Sequence, residues 1–367
     1  MRVLMLLVGL LLAMVALGAQ AAMKAGPNMA GPGHHRLRSA ERSAAEIMAA
    51  ATLDLNFAAG TYRQTGVPAC TSVATCVTVT RAGAGATNLL STSPPGAAYT
   101  TYAADQPRVV PGSGILVETT RTNRFFNSAV PATQTRNLVA AGPQVLWMNG
   151  TGSVTVGPGT ATGCGTGVAT HGNPVFFTLT TGGTCSFTVA GAVNAMQVEA
   201  GDVPSSFIVT GGAIETRTGE VVTVISPPAI GPAFSIACQG TTTMNTAGNQ
   251  TLASISDGTA ASHVLCRRLA TTGNMGMQAT GWGFTDIVTA PPGVLKKLAG
   301  AVNGSNEQAG AFDSGYAETT YAGNPTGLNT IKIGVQGNNA VAFGGYIGRF
   351  TYWPVRLSNN DLLKVVQ

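Results

Sequence analysis

Charged and aromatic side chains are scarce in this sequence. Only 10% of the 367 residues are Asp, Glu, Lys or Arg, and only 6% are Phe, Trp or Tyr. This composition excludes a long coiled coil, which is rich in Ala, Glu, Lys, Leu and Arg, and it excludes a highly charged disordered chain. The net charge of +5 is small and scattered along the chain, so it does not indicate a nucleic-acid partner.

Motifs of common catalytic sites are also missing. The sequence has no G-x-S-x-G nucleophile turn, no H-E-x-x-H zinc motif, no P-loop and no G-x-G-x-x-G dinucleotide motif. His171 and His263 stand alone, and a catalytic triad on either of them needs partners from remote segments. We therefore expect that the protein is not an enzyme.

Glycine and short apolar segments fill most of the chain. There are 48 glycines and 19 prolines, and turn-forming residues separate segments that alternate between polar and apolar side chains or are apolar throughout. The clearest segments are 76–81, 153–157, 174–180, 186–191, 220–226, 252–256, 331–335 and 350–353. This pattern predicts an all-β chain of tandem antiparallel β-sandwich or jelly-roll domains. A boundary near 211–219 divides the prediction into an N-terminal β-sandwich region, 52–212, and a C-terminal domain, 213–367.

The amino-terminal residues 1–21 have the pattern of a signal peptide. Arg2 precedes an apolar run, and small residues at 19–21 fit an A-x-A cleavage site. An uncleaved anchor, or a true start at Met23, is the alternative. No other apolar run approaches the length of a membrane span, so we expect a secreted or cell-surface protein without membrane contact after cleavage.

Residues 22–51 connect this predicted signal peptide to the strand-rich part of the chain. They begin with a Gly- and Pro-rich stretch and continue into RLRSAERSAAEIMAAA, the best helix-forming segment of the sequence. The composition predicts a flexible segment followed by a short helix. Ser43 and Glu46 have the spacing of a capping box, although they fall inside the predicted helix.

Six cysteines, an even number, accompany the predicted export signal and favour disulfides. Six cysteines can pair in many ways, but here they form three local pairs, each within one strand-rich unit. The predicted disulfides are Cys70–Cys76, Cys164–Cys185 and Cys238–Cys266. Buried free thiols are the alternative. No C-x-x-C motif or cysteine–histidine ladder is present, so we expect no zinc site.

Four separated blocks, in matching order, resemble motifs of tailed-phage and prophage head-spike or tail-fibre-like proteins. The first block comprises 53–57 (LDLNF), 77–81 (VTVTR), 107–108 (PR) and 114–123 (GILVETTRTN). The second is 146–156 (LWMNGTGSVTV), and the third is 196–210 (MQVEAGDVPSSFIVT). The fourth, 345–358 (GYIGRFTYWPVRLS), resembles the last strand of concanavalin-A-like (laminin-G-like) lectin domains.

The resemblance implies a concanavalin-A-like jelly roll over 213–367 and a non-enzymatic role in virion attachment or host-surface recognition. The implied partners are a cell-surface glycan or other virion proteins, in a homo-oligomer such as a trimer, and the implied location is the virion if the protein is phage-encoded. A secreted bacterial cell-surface protein of the same architecture, without a sugar ligand, is the alternative. We interpret the block residues mainly as fold determinants, with Glu118 and Arg121 as a local ion pair.

A glycoside hydrolase is a further, less favoured alternative, because lectin-like jelly rolls also host such enzymes. Those enzymes place paired carboxylates on one strand in an E-x-D-x-E pattern, which this sequence lacks. Glu199 and Asp202 are close in sequence but fall in a block that ends a domain. No cofactor is expected; Asp257 and Asp286 are the residues considered for Ca²⁺, and solvated loop acids are the favoured interpretation of both.

A sugar site needs an aromatic platform beside polar side chains, because a sugar ring has apolar faces and a polar rim. In the C-terminal domain the residues that meet this requirement are Trp282, Tyr316, Tyr321, Asn303 and Asp313. Trp282 lies between two glycines that have no side chains to cover it. Packing of Trp282 within a sheet is the alternative.

Overall fold

Antiparallel β-sheets form most of the chain in a computed structural model, which confirms the all-β prediction. The structure describes residues 41–67, 69–83, 86–138, 141–243, 248–270, 272–279, 285–289, 291, 293–304, 307–312, 315–320, 325–340 and 342–367. Its described helices are α1 (Ala44–Ala49), α2 (Val73–Cys76) and α3 (Asn359–Val366).

Two large sheets pack face to face and form what we call the main sandwich. The described strands of its first sheet are β1 (Leu53–Asn56), β2 (Thr61–Gln64), β6 (Val109–Val110), β7 (Gly114–Val117), β18 (Phe234–Thr242), β23 (Leu295–Val302), β24 (Glu307–Phe312), β25 (Gly315–Thr320) and β27 (Gly345–Trp353). Those of its second sheet are β3 (Val77–Thr80), β17 (Val221–Val224), β19 (Gln250–Ser256), β20 (His263–Arg268), β21 (Asn274–Ala279), β22 (Thr285–Thr289) and β26 (Thr330–Ile333).

Strand alternation builds the core between these two sheets. The first sheet runs β2-β1-β27-β18-β23-β24-β25, with β7 also on β27 and β6 on β7, and the second runs β22-β21-β20-β19-β26-β17-β3. Every second residue of a strand faces the same side, so Leu53 and Leu55 of one sheet meet Val77 and Val79 of the other in a single buried cluster.

Residues 121–217 leave the main sandwich and form a smaller one, which we call the inserted sandwich. One of its sheets has the strands β10 (Gly142–Gly150), β13 (Val175–Leu179) and β15 (Val193–Ala200), and the other has β9 (Gln134–Leu138), β11 (Ser153–Gly157), β12 (Val168–Thr170) and β14 (Gly183–Ala190). The insertion begins with β8 (Arg121–Asn123) and ends with β16 (Glu215–Arg217). These two strands pair with each other, so the chain enters and leaves the inserted sandwich side by side.

Helices and a short ribbon cover the outer faces of the sheets. Helices α1 and α3 pack on the first sheet of the main sandwich around Trp353, whose Nε1 donates to the carbonyl oxygen of Ile47 at 2.8 Å. The ribbon of β4 (Ala86–Thr87) and β5 (Thr101–Tyr102) leads to Leu89, which packs with Trp147 and Phe207 on the outer face of β10.

The structure adds detail to three expectations from the sequence. All three predicted disulfides are present: Cys70–Cys76, Cys164–Cys185 and Cys238–Cys266, with Cα–Cα distances of 4.7, 5.7 and 6.7 Å. The capping box of Ser43 and Glu46 is also present, but it starts helix α1 instead of lying inside it. The expected boundary at 212/213 separates strands that share sheets, because β1 and β7 pair with β27, and β3 pairs with β17.

Candidate functional site

A cleft of about 790 Å³ lies where the inserted sandwich joins the main one. Five stretches of chain contribute to it: the two connections through β8 and β16, the turn after β15, the segment before β19 and the connection from β26 to β27. Its described lining is Thr119, Thr120, Arg121, Asp202, Thr218, Gly219, Glu220, Val221, Gly248, Asn249, Val335, Asn339, Ala340, Ala342 and Gly344. Clefts between domains are common ligand sites, so we treat this one as the candidate site.

Two asparagines of the cleft are held by bonds to their side-chain oxygens. Asn339 Oδ1 accepts from Lys332 Nζ at 2.7 Å, and its backbone adopts a left-handed φ of 64°. Asn249 Oδ1 accepts from the backbone N–H of Ala270 at 3.0 Å. With the oxygens occupied, each carboxamide keeps its Nδ2 group as a donor, and neither Nδ2 has an acceptor among the described residues.

Arg121 and Asp202 are two of the charged residues that line the cleft. Arg121 Nε lies 3.6 Å from Glu199 Oε2, and no described residue accepts a hydrogen bond from the two terminal nitrogens of this guanidinium. Asp202 follows β15 and is exposed. The expected ion pair between Glu118 and Arg121 is therefore wrong, because Arg121 pairs with Glu199 instead.

Glu199 is fully buried behind Arg121. Its two carboxylate oxygens accept from the backbone N–H and the Oγ of Ser205, both at 2.7 Å. Burial raises the pKa of Glu199, and the charge of Arg121 and the hydrogen bonds from Ser205 only partly oppose this rise. This carboxylate fixes the turn after β15 and so sets the position of Asp202.

Beneath the cleft, buried charges join the two sandwiches. Arg108 Nη2 lies 2.9 Å from Glu118 Oε2 and 2.6 Å from Glu220 Oε1, and all three side chains are buried. Arg217 of β16 also pairs with Glu118, and Arg81 lies 3.4 Å from Glu220. Burial by itself would raise the pKa of Glu118, but the guanidinium groups of Arg217 and Arg108 outweigh it and lower that pKa to about 2.

Ser206 links this cluster to the end of the inserted sandwich. Its backbone N–H and Oγ both donate to Glu118, while its Oγ accepts from Arg108 and Arg217. Ser206, Glu118 and Arg108 come from the resembling blocks, and Arg217 lies in β16. Their contacts agree with the interpretation of the block residues as fold determinants.

The structure describes two of the five residues predicted from the sequence to bind sugar. Trp282, Tyr321 and Asp313 lie outside the described residues. Tyr316 is half exposed on β25, opposite Ala311. Asn303 shapes the turn between β23 and β24, where its Nδ2 donates to Glu307 at 2.6 Å, and it lies several residues along the sheet from Tyr316. Neither Tyr316 nor Asn303 lines the cleft.

Asp257, one of the two residues considered for calcium, has hydrogen-bond partners within its own turn. Asp257 accepts from the backbone N–H and Oγ1 of Thr259, at 2.8 and 2.7 Å, and thereby shapes its own turn. Asp286 lies in β22, and its side chain is outside the described part of the chain. Within the described ranges no three His, Cys, Asp or Glu side chains come together as metal ligands. No described helix is long and apolar enough to cross a membrane.

Sequence reasoning missed the cleft because its lining comes from remote parts of the chain. The sequence suggested Asp202 only as a possible catalytic acid and Arg121 only as a partner of Glu118. The sequence feature that could have indicated the cleft is that Asn249 and Asn339 each occur in a short Gly- and Asn-containing stretch, where asparagine tolerates a left-handed backbone.

Comparisons with known proteins give structural likeness over part of the chain. No protein-family model matches, and no curated protein matches. The carbohydrate-binding module CBM40 of the Ruminococcus gnavus IT-sialidase, bound to α2,6-sialyllactose, aligns with 37% of this chain and 83% of that chain, at 21% identity and a TM-score of 0.32. Domain 4 of AbnA, a GH43 extracellular arabinanase from Geobacillus stearothermophilus, in complex with arabinotriose, aligns with 41% and 73%, at 14% identity and a TM-score of 0.35. A leech intramolecular trans-sialidase aligns with 36% and 23%, at 18% identity and a TM-score of 0.31.

Proposed function

We propose that the protein is a non-enzymatic carbohydrate-binding protein and that the cleft between its two sandwiches is the binding site. One observation carries this proposal. The cleft presents the amide donors of Asn249 and Asn339 together with the guanidinium of Arg121 and the carboxylate of Asp202. Sugar hydroxyls donate and accept hydrogen bonds, so a mixed set of donors and one strong acceptor suits them.

The fixed orientation of the two asparagines favours binding. Because Lys332 and the backbone of Ala270 already hold the side-chain oxygens, little side-chain entropy is lost when a ligand accepts from Asn339 or Asn249. The cleft is therefore preorganised for polar groups.

The carboxylates at the cleft favour binding over cleavage. Hydrolysis of a glycosidic bond uses two carboxyl groups that flank the bond. Of the described carboxylates that line the cleft, Asp202 is exposed, whereas Glu220 is buried, pairs with Arg108 and accepts from the backbone N–H of Glu118 at 2.8 Å. This leaves one carboxylate for a ligand, so we expect no release of reducing sugar.

The test compares two asparagines that share a left-handed backbone. Asn339→Gly removes the carboxamide but keeps a residue that favours positive φ, and Asn127→Gly is the matched control because Asn127 has φ 49° and lies in the inserted sandwich. Loss of one hydrogen bond should weaken binding of the glycan selected on an array by roughly three- to tenfold in Asn339→Gly. The control should bind like the wild type.

The outcome shows whether the proposed function or only the proposed site is wrong. If the wild type binds no glycan on the array, the proposed function is wrong. If it binds and Asn339→Gly binds equally well in calorimetry, the glycan site is elsewhere on the molecule.

The setting that we propose is surface recognition of the phage spike or fibre type, outside the cytoplasm. The four resembling sequence blocks support the spike type. The three disulfides support an oxidising environment, since such bonds persist there and are rare in the cytosol.

A further inference from the structure

Phe176 exposes an aromatic ring on the inserted sandwich. Along β13, Phe177 and Leu179 point into the core, while Phe176 points to the opposite face and is 55% exposed. No other described aromatic side chain is more exposed. A phenylalanine contributes most to stability when it is buried, so an exposed ring at this place is not explained by the core.

The strand register places this ring on the same face of its sheet as Glu199, the partner of Arg121. Phe176 is directly opposite Val145 of β10, and Val145 is directly opposite Glu199 of β15. Neighbouring strands are about 4.8 Å apart, so the Cα atoms of Phe176 and Glu199 are separated by roughly 10 Å across the sheet. Arg121, which contacts Glu199, lines the cleft.

The strand that carries Phe176 is held in place although it is at the edge of its sheet. Thr180, just after β13, donates its backbone N–H to the carbonyl oxygen of Thr162 at 2.9 Å. The disulfide Cys164–Cys185 then ties the same loop to β14. The ring is therefore presented from a fixed backbone.

We propose that Phe176 is an aromatic platform that extends the glycan site beyond the cleft. The inference rests on the proposed function and names its ligand class, an oligosaccharide. The described lining of the cleft supplies polar groups and no aromatic ring. Phe176 supplies the apolar face on which a sugar ring stacks. The distance between Phe176 and Glu199 is longer than one sugar ring, so the ligand must have more than one sugar unit. One end of the oligosaccharide occupies the cleft, and an inner unit lies against Phe176.

The test measures how the effect of Phe176 depends on ligand length. The probes are the free oligosaccharide that the wild-type full chain binds best on a glycan array and the monosaccharide from the end of that oligosaccharide. The variants are Phe176→Ala, Phe176→Trp and, as a control in the same sandwich, Val130→Ala, since Val130 is 80% exposed. Calorimetry gives the affinities, and thermal unfolding reports on folding.

The expected result is a loss confined to the longer probe. Phe176→Ala should bind the oligosaccharide roughly three- to tenfold more weakly, with unchanged affinity for the monosaccharide. Phe176→Trp should bind at least as tightly as the wild type, and Val130→Ala should match it.

Two results overturn the inference while leaving the proposed function intact: wild-type affinity of Phe176→Ala for the oligosaccharide, or an equal loss for both probes accompanied by a lower melting temperature. A wild type that binds neither probe overturns the proposed function itself, and the inference with it.

Discussion

Glu118 shows how one buried carboxylate keeps its charge between the two sandwiches. Removing charges from water is costly, and the two arginines and the hydroxyl of Ser206 offset that cost only while all partners are in place. Losing one partner of such a cluster typically costs about 3–5 kcal/mol, because the others remain buried without compensation.

Glu118→Gln is expected to reduce the free energy of unfolding by about 3–5 kcal/mol at pH 7. It should also make the free energy of unfolding less dependent on pH in the acid range. The folded pKa of Glu118, about 2, is below its usual 4.5. Its contribution is therefore complete above pH 4.5 and is lost as the pH falls toward 2. Urea unfolding of wild type and variant between pH 3 and pH 7 measures both effects.

Glu199→Gln is the matched control, since Glu199 is equally buried but its pKa is raised. A carboxyl group whose pKa is raised by folding stabilises the folded state less as the pH rises above 4.5. The free energy of unfolding of Glu199→Gln should therefore still fall in acid, as that of the wild type does. If the free energy of unfolding falls equally in acid for the wild type and Glu118→Gln, Glu118 is not a charged, stabilising carboxylate in the folded protein.

The mistaken pair of Glu118 and Arg121 has a simple physical cause. Residues three apart are neighbours on a helix, but in extended chain they point to opposite faces. The sequence indicated that these block residues matter for the fold. It did not indicate their partners, which include Glu199 of β15 for Arg121 and Arg217 of β16 for Glu118.

At the level of elements, the period-two pattern located strands well. The predicted segment 153–157 is β11, and 186–191 and 252–256 fall largely or wholly in β14 and β19. Alternation shows which face of a strand is buried, but it does not show which strand pairs with it. The cleft depends on those strand pairings, so the period-two pattern could not predict it.

The disulfides should differ in what they contribute to stability. Cys238–Cys266 joins the two sheets of the main sandwich and closes 28 residues, whereas Cys70–Cys76 closes 6. Chain-entropy arguments give about 3–4 kcal/mol for the longer loop and about 2 kcal/mol for the shorter one. Replacing each pair by alanines should therefore lower the melting temperature more for Cys238–Cys266, as thermal unfolding of the two double variants will measure. The reverse order would contradict the loop-length argument.

For the whole molecule, the sequence predicted two β-sandwiches but placed them one after the other. A composition change near 211–219 indicates where the chain re-enters the main sandwich after β16. No composition change indicates where the chain leaves the main sandwich at β8. The pairing of β1 with β27 joins segments from opposite ends of the described chain, and no local pattern reports such a contact.

The proposed setting outside the cytoplasm is tested on the protein from its native source. We expect its first residue to be near Ala22, because residues 1–21 have the pattern of a signal peptide, and all six cysteines to be oxidised. N-terminal sequencing and peptide mapping without reductant measure both. Retention of Met1 together with free thiols would rule out export.

The position of β27 has a consequence for how the chain folds during synthesis. This strand is near the carboxyl end, yet it pairs with β1, β7 and β18. The ribosome has produced every strand of the inserted sandwich by residue 217, so that unit can close while translation continues. The main sandwich must wait, and its early strands β1 and β7 lack their partner until β27 emerges.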